Sequence, residues 1–141
     1  MARFADTNVL LYSISREPAE ARKRDAAIAI LDQDDLVMSV QVLSEFYVRA
    51  TRPKRDDAIP HVTAVGLIDT WRRFRIVDNT MAVMEAALGI RMATGFSYWD
   101  SAVIAAARLA GCAELLTEDL SHGQTIGGVM IVNPFLAPQG Q

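Results

Sequence analysis

The first predicted strand and helix of the chain meet within Arg3-Phe4-Ala5-Asp6-Thr7-Asn8. A short apolar run ends there at an acid, and the apolar residues that follow recur at a spacing that predicts a helix over residues 7–15. A carboxylate between a strand and a helix lies where α/β folds build their active sites. The stretch therefore predicts an α/β fold, and Asp6 is its first candidate site residue.

Three further carboxylates stand beside a predicted strand end or the start of a predicted helix. They are Glu45 in Leu43-Ser44-Glu45-Phe46-Tyr47, Asp100 in Tyr98-Trp99-Asp100-Ser101-Ala102, and Asp119 in Leu115-Leu116-Thr117-Glu118-Asp119. Acids so far apart in sequence can converge only if parallel strands bring their carboxyl ends to one edge of a sheet. We therefore expect all four acids to line one cleft at that edge.

Strands and helices alternate along the rest of the chain. The predicted strands cover residues 3–6, 36–38, 75–78, 113–117 and 129–132. The predicted helices cover residues 7–15, 18 to the acidic turn at 32–35, 39 to 53, 56–73, 80–94 and 97–110. This alternation predicts a parallel sheet with helices on both faces.

Length and composition set the broad class of the protein. At 141 residues with 51% hydrophobic and 22% charged residues, the chain is predicted to fold as one globular domain over residues 1–141. A single cysteine, Cys112, excludes an intrachain disulfide, and the N-terminus lacks a signal-peptide pattern, so we expect a cytoplasmic protein. The longest apolar stretch, residues 101–116, is too short and too charged to span a membrane.

The charge pattern allows a nucleic-acid partner without requiring one. The formal net charge is −3, which argues against a generally basic coat, yet the cations are 12 Arg and only 2 Lys. Arginines gather within residues 49–55 and 72–75, where they could follow a phosphate backbone. Solvated helix ends and i,i+4 ion pairs are the ordinary structural interpretation of the same residues.

Two of the acids have a routine explanation in the turns that carry them. Asp6 could be the N-cap of the helix that follows it, accepting a backbone N–H. Asp119 could be a turn residue before His122. Glu118 and Asp119 are adjacent, so only one can point inward from an extended strand end; the spacing from Thr117 favours Asp119 and turns Glu118 away.

The two acids on predicted helices also have structural alternatives. Glu45 could be an exposed partner of Arg49, four residues later. Asp100 could stand at the third helical position of a capping box that begins at Ser97. The helix after Asp100 is apolar on all sides and is therefore predicted to be buried, and a helix N-terminus favours an ionised carboxylate.

A cation would resolve the conflict among four neighbouring acids. Carboxylates gathered in one cleft repel one another and raise each other's pKa values unless a cation is present. Hard oxygen ligands without paired His or Cys favour Mg²⁺ or Mn²⁺ over Zn²⁺, and His61 and His122 lack the spacing of a zinc protease. Such an ion could deprotonate a water for attack on a phosphodiester.

Four motifs in this order resemble PIN-domain ribonucleases, and most closely the VapC-type toxins of bacterial toxin–antitoxin pairs. They run through nearly the whole chain and read Phe4-Ala5-Asp6-Thr7-Asn8-Val9-Leu10, Val42-Leu43-Ser44-Glu45-Phe46-Tyr47, Tyr98-Trp99-Asp100-Ser101-Ala102 and Leu116-Thr117-Glu118-Asp119-Leu120. The resemblance implies a three-layer α/β/α domain with a central parallel sheet of four to five strands. It also implies endonucleolytic RNA cleavage that depends on Mg²⁺ or Mn²⁺.

The resemblance assigns residue roles and partners as well. It implies catalytic roles for Asp6, Glu45, Asp100 and Asp119, metal ligation by Asp6, Asp100 and Asp119, and supporting roles for Asn8 and Thr117. It further implies a homodimer and a VapB-like antitoxin whose C-terminal segment blocks the acidic site. We expect an antitoxin arginine to bridge the acids, with an amphipathic segment in grooves beside the helix of Leu43, Phe46 and Tyr47.

Two other functions compete with this interpretation. A catalytically silent PIN-like module that only binds RNA or protein would not need the full set of acids. An aspartate-based phosphoryl-transfer domain of the dehalogenase or receiver type also places an acid after its first strand. That type needs a second aspartate close to Asp6 and a lysine after a later strand, whereas the only lysines are Lys23 and Lys54.

Overall fold

The computed structural model describes residues 1–136 of the chain. The strands are β1 (Arg3–Ala5), β2 (Leu36–Ser39), β3 (Arg75–Val77), β4 (Glu114–Leu116), β5 (Thr125–Ile126) and β6 (Val129–Val132). The α-helices are α1 (Thr7–Ser13), α2 (Ala21–Leu31), α3 (Val40–Ala50), α4 (His61–Trp71), α5 (Met81–Thr94) and α6 (Tyr98–Leu109). A 3₁₀ turn, Pro18–Glu20, leads into α2.

The strands form one sheet in the order β3-β2-β1-β4-β6-β5 within the described part of the chain. Five of them are parallel, which confirms the predicted α/β class and its parallel sheet of four to five strands. The sixth strand, β5, is antiparallel to β6 and was not predicted from the sequence. It has only two residues, and Gly127 and Gly128, both with positive φ, form the tight turn that returns the chain.

The position of β1 determines where a site can form. Its Phe4 pairs with Val37 of β2 on one side and with Leu115 of β4 on the other. The chain first extends the sheet from β1 through β2 to β3, then returns to the opposite side through β4. Such a reversal opens a crevice at the carboxyl ends of the two central strands. The crevice therefore lies between the residues that follow Ala5 and those that follow Leu116.

Polar caps at the strand ends start two of the helices beside this crevice. Asp6 follows β1 and caps α1, and Ser39 ends β2 and caps α3 by accepting a hydrogen bond from the N–H of Val42 at 3.2 Å. Each cap satisfies a backbone N–H that has no partner inside the helix. The change from strand to helix therefore occurs at the edge of the sheet where the site lies.

The core lies on both sides of the sheet. All four residues of β2 are buried, and α6 is buried from Ser101 to Ala107, as its apolar sequence predicts. Helix α6 packs against α5 and three strands, whereas α1 packs against α2 and α3. Among residues 1–136, no helix is long and apolar enough to cross a membrane.

One predicted helix is wrong ahead of Pro60. The sequence predicted a helix over residues 56–73 with a break at Pro60, and α4 begins only at His61. Pro60 occupies the N-cap position with φ −67° and ψ 158°. Proline also disfavours helical backbone in the residue before it, so the segment ahead of Pro60 forms turns instead.

Candidate active site

The innermost acid is Asp6, which uses both of its carboxylate oxygens. Its Oδ1 accepts a hydrogen bond from the backbone N–H of Thr7 at 2.7 Å, so the predicted capping role is real. Its Oδ2 accepts a hydrogen bond from the Thr117 hydroxyl at 2.9 Å. Asp6 therefore caps α1 and also binds a residue that follows β4, 111 positions later.

Thr117 joins the ends of the two central strands. Its fully buried hydroxyl donates to Asp6 and accepts hydrogen bonds from Asn8 Nδ2 and from the backbone N–H of Asp119, both at 3.1 Å. Asn8 Nδ2 also lies 3.2 Å from Asp119 Oδ2. Because Ala5 and Leu116 are paired in the sheet, the residues just after them must meet in this way.

Glu45 reaches the same cleft from helix α3. Its Oε2 accepts a hydrogen bond from the Thr7 hydroxyl at 3.2 Å, and its Oε1 accepts one from Gln41 Nε2 at 3.1 Å. Within residues 1–136, Glu45 forms no ion pair with Arg49, so the alternative of an exposed i,i+4 pair is not what the fold uses. Glu45 faces the helix that begins at Asp6 instead.

Asp100 occupies the third position of α6 and is partly exposed. Its backbone N–H donates to the hydroxyl of Ser97, the N-cap residue, at 3.1 Å, as the predicted capping box requires. The carboxylate itself is close enough to Asp119 and Glu45 to feel their charges. The carboxylate also hydrogen-bonds with Ser97, so the capping interpretation holds for backbone and side chain, and the charges of Asp119 and Glu45 act on the same group.

Asp119 and Glu45 raise the pKa values of Asp6 and Asp100, but burial has the larger effect. Burial raises the pKa of Asp6 to about 6, the hydrogen bonds from Thr7 and Thr117 oppose this, and Asp119 and Glu45 add to it. Burial also raises the pKa of Asp100, again with a contribution from Asp119 and Glu45. Both acids sense the same two neighbours, so residues from four separate segments share one electrostatic environment.

A comparison with known families assigns this arrangement. The sequence pattern of the PIN domain matches residues 3–125. The chain belongs to the PIN-domain family. This confirms the family resemblance that the four motifs indicated. Among curated proteins, no sequence matches the chain.

Solved structures share the fold of this PIN domain at low sequence identity. A toxin–antitoxin complex from Klebsiella pneumoniae is 21% identical, with 96% of this chain and 98% of that chain covered and a TM-score of 0.69. The Mycobacterium tuberculosis toxin VapC20, which cleaves the sarcin–ricin loop, is 19% identical (84% and 92% covered, TM-score 0.65). DNA-bound VapBC from Salmonella typhimurium is 18% identical (93% and 96% covered, TM-score 0.65).

The side chains of this PIN domain are of the chemical type that binds a hard divalent cation, but they are not spaced to coordinate one. In the described part of the chain, no three acidic, histidine or cysteine side chains stand close enough to hold a metal ion as they are. The donors are nevertheless carboxylate oxygens, together with Asn8 Oδ1, which is buried without a hydrogen-bond partner among residues 1–136. Oxygen donors of this kind suit Mg²⁺ or Mn²⁺, and mutual repulsion holds carboxylates apart until a cation neutralises them.

Glu118 has different hydrogen-bond partners from Asp119, although both acids line the same small polar pocket. It accepts a hydrogen bond from the Tyr12 hydroxyl and forms an ion pair with Lys23 Nζ at 3.0 Å. Asp119, one residue later, faces Asn8 instead. The alternation of side chains at the end of β4 thus separates the two neighbouring acids.

Several residues near the cleft carried no signal in the sequence. Thr7 and Gln41 bind Glu45, while Trp99 is exposed beside it in a groove. Arg49 and Arg55 line a small polar pocket of about 130 Å³ together with Asn8 and Asp119. The sequence alone identifies the arginine-rich segment of residues 49–55. Its position next to Asp119 depends on the path of the turn after α3.

The second arginine cluster has structural partners. Arg73 donates hydrogen bonds to the backbone carbonyls of Leu31 and Thr70, and Arg75 donates to that of Ala110. These contacts favour a structural role for residues 72–75 over a role in phosphate binding. They leave residues 49–55 as the arginine cluster that lies beside the acids.

Proposed function

We propose that the chain is a metal-dependent endoribonuclease that acts as the toxin of a VapBC-type toxin–antitoxin pair. The observation that carries this proposal is the convergence of Asp6, Glu45, Asp100 and Asp119 on one cleft of a PIN domain. A silent binding module would not need four carboxylates in one cleft, two of which, Asp6 and Asp100, have raised pKa values. The likeness to VapC20, a toxin that cleaves RNA, supports RNA as the substrate.

The chain's residues have distinct roles in this proposal. Asp6, Asp100 and Asp119 hold a Mg²⁺ or Mn²⁺ ion, and Asn8 and Thr117 fix the orientation of Asp6 and Asp119 through their hydrogen bonds. When bound, the ion supplies Lewis acidity and lowers the pKa of water. Glu45 is held by Thr7 and Gln41 at the border of the cleft, where it can orient the attacking water.

Arginines beside the cleft provide a path for the RNA backbone. Arg49 lines the polar pocket that contains Asp119 and also a neighbouring groove with Glu45 and Arg52. Arg55 lines the same polar pocket while its guanidinium is 2.7 Å from Asp57. Guanidinium groups bind phosphate oxygens in pairs, so these side chains can hold the strand against the acids.

Cleavage of a labelled cellular RNA pool by the purified protein tests the enzymatic part. Cleavage should require Mg²⁺ or Mn²⁺, stop in chelator and return when the metal is restored. Asp119→Asn should abolish it, while Glu118→Gln, which changes the adjacent acid that faces Lys23, should retain it. Metal-independent cleavage, or equal cleavage by both variants, would contradict the assignment. No cleavage of any RNA would favour the silent module.

We also propose a partner antitoxin, supported by the toxin–antitoxin complexes among the similar structures. The acidic cleft would accept an arginine of that partner. Leu43 and Phe46 of α3 are buried, so the partner's apolar side chains must instead meet the exposed side of the helix, which includes Val40 and Val48. Titration with the product of the adjacent small gene should inhibit cleavage. Full activity with a saturating, demonstrably bound partner would contradict this mechanism.

A homodimer is proposed on the basis of helix α5. Three of its large apolar side chains, Met81, Leu88 and Met92, are 67%, 53% and 88% exposed. These residues are spaced to share one helix face, which forms an apolar surface that a second copy of the chain can cover. Light scattering of the purified chain should give a dimer mass that Met92→Glu lowers to that of a monomer.

A further inference from the structure

An open groove extends from the acidic cleft along the exposed side of α3. Its volume is about 750 Å³, within the range of ligand-binding pockets, and it is lined by Val40, Gln41, Ser44, Glu45, Asp78, Asn79 and Trp99. Glu45 also belongs to the acidic cleft. The groove is therefore continuous with the site where the RNA would be cut.

The groove presents a large aromatic surface to solvent. Trp99 is 60% exposed, although it precedes the buried part of α6, and Val40 across the groove lining is 45% exposed. The indole is held by the ring of Tyr98, at a centroid distance of 4.9 Å and an interplanar angle of 78°. An exposed indole that is fixed in place provides a surface on which a nucleobase can stack at little conformational cost.

A chain of amide hydrogen bonds connects this surface to the proposed active site. Gln41 Nε2 donates to Glu45 Oε1 at 3.1 Å and to the backbone carbonyl of Trp99 at 3.2 Å. Gln41 Oε1 accepts a hydrogen bond from Asn79 Nδ2 at 3.0 Å. Gln41 thus fixes the start of α6 relative to Glu45. A base seated on Trp99 would lie in a defined register relative to the acids.

The charges of the groove favour a base over a phosphate. Two of its lining residues, Glu45 and Asp78, are acidic, and its described lining contains no lysine or arginine. Carboxylates repel phosphate, but they accept hydrogen bonds from the amino groups of adenine, cytosine and guanine. Asn79 adds an exposed amide that can donate and accept at a base edge. The arginines lie instead on the side of the cleft that contains Asp119.

We propose that this groove is a nucleobase subsite in which one unpaired base of the RNA stacks on Trp99 and is read by Asp78 and Asn79. The proposal rests on the ribonuclease function and adds to it a determinant of where the RNA is cut. A base that lacks an amino group, uracil, is disfavoured at this position. Stacking on one aromatic side chain gives about 5- to 150-fold in affinity, which is enough to select a cleavage position.

The first binding experiment uses the intrinsic fluorescence of Trp99 in chelator, where the RNA is not cut. The chain has two tryptophans, and Trp71 is only 4% exposed, so Trp71→Phe leaves Trp99 as the reporter. Single-stranded oligonucleotides of a cleaved sequence should quench it as they bind. Affinities of the variants are measured instead by the anisotropy of a dye-labelled oligonucleotide: Trp99→Ala should weaken binding about 5- to 150-fold, Trp99→Phe should recover most of the loss, and Trp99→Leu should not. Val62→Ala, at an exposed position on α4, is the matched control.

A scan with abasic nucleotides identifies the base that occupies the subsite. One position should lose affinity for the parent protein when its base is removed, and Trp99→Ala should cause no further loss with that oligonucleotide. Asp78→Asn should change which base is preferred there, seen as a shift in KM and in cleavage position while kcat changes little.

Different results overturn the two proposals. If the parent protein cleaves RNA but Trp99→Ala binds and cuts as the parent does, or the abasic scan is flat, the subsite is wrong and the nuclease stands. If Trp99→Ala weakens only binding of the antitoxin, the groove is a protein-docking surface and the subsite is again wrong. Failure of the parent protein to cleave any RNA contradicts the proposed nuclease, whatever the oligonucleotide binding shows.

Discussion

The two halves of the acidic cleft are built in different ways. In the inner half, Asp6, Asn8, Thr117 and Asp119 follow two paired strands and are joined by a continuous set of hydrogen bonds. In the outer half, Glu45 and Asp100 come from helices α3 and α6 and are partly exposed, whereas Asp6, Asn8 and Thr117 are buried and only Asp119 of the inner half is exposed. The sheet therefore fixes the inner half, while helix packing places the outer half.

The difference bears on how such a site can bind a cation. A carboxylate that is buried and hydrogen-bonded at both oxygens has little freedom to move, so Asp6 provides a fixed reference. The Asp100 carboxylate has one such restraint, a hydrogen bond with Ser97, and it is partly exposed, so it can move toward a cation more easily than Asp6. We infer that metal binding completes the site mainly by movement in its outer half.

The largest expected effect comes from Asp100→Asn. Loss of a metal-binding carboxylate should reduce cleavage about 100-fold or more, because the ion stabilises transition-state charge by several kcal/mol. The melting temperature in chelator should stay unchanged or rise, since the substitution removes a charge beside Asp119 and Glu45. Thermal unfolding and cleavage assays on the same samples would measure both effects.

Ser97→Ala is the matched control for the outer half. It removes the cap of α6 and should destabilise the protein by about 1 kcal/mol, while the Asp100 carboxylate is retained and loses only its hydrogen bond with Ser97. The two variants should therefore show opposite patterns of stability and cleavage. A large fall in melting temperature for Asp100→Asn would instead assign Asp100 a mainly structural role.

The buried Asp6 of the inner half should affect how the stability of the protein depends on pH. Between its ordinary pKa of 3.8 and its folded value of about 6, Asp6 keeps a proton that the unfolded chain has released. The free energy of unfolding in chelator should therefore rise as the pH falls from 7 to 4, by about 3 kcal/mol at most from Asp6. Asp100, whose pKa is also raised, adds to the same trend.

Urea unfolding at several pH values between 4 and 7 would measure this trend. Asp6→Asn should flatten it more than Asp100→Asn, because Asp6 is the more deeply buried of the two. Arg3 lowers the pKa of Asp35, so stability lost by protonating that acid appears only below this range. Stability that falls toward pH 4 in the parent but not in Asp6→Asn would contradict the burial argument.

Thr117→Val should have a smaller effect on stability and cleavage, because it removes the hydrogen bonds that join the residues of the inner half. The substitution keeps the shape but removes the hydroxyl that donates to Asp6 and accepts from Asn8 and Asp119. Loss of partners for buried polar groups should cost about 1–3 kcal/mol of stability, measured by urea unfolding, and should also slow cleavage. Thr117→Ser retains the hydroxyl and should preserve most of both. Equal losses in Ser and Val would indicate that the methyl group matters instead.

The smallest effect is expected at the border of the cleft, from Lys23→Met. The Lys23 and Glu118 side chains are 34% and 23% exposed, so their ion pair should contribute about 1 kcal/mol or less. Cleavage should change little, because Glu118 is bound to Tyr12 and Lys23 and not to Asn8 or Thr117. A loss of cleavage as large as that of Asp100→Asn would place Glu118 within the catalytic site.

The inner half was the part most readily predicted from the sequence. An acid directly after an apolar strand, followed by a helix, has one position in a parallel α/β fold, so Asp6 and Asp119 were expected at the same sheet edge. Strand alternation also gave Asp119 and Glu118 different partners, Asn8 and Lys23, although both acids line one pocket. These predictions depend on the periodicity of short segments and on the rule that parallel strands end at one edge of a sheet.

The outer half depends on tertiary packing that no local pattern encodes. Gln41, Asn79 and Trp99 look like ordinary surface residues until α3, the end of β3 and the start of α6 are placed side by side. The position of Arg49 and Arg55 also depends on where α4 begins, and the sequence placed that start too early. The two-residue strand β5 is too short to give a periodic signal.

The central position of β1 also determines when the site can form during synthesis. The first acid of the cleft, Asp6, leaves the ribosome long before Thr117 and Asp119, yet its hydrogen-bond partner lies 111 residues later. No shorter nascent chain can complete the inner half, because β4 must pair with β1 first. A chain that is still being translated up to β4 is therefore unable to cut the RNA around it.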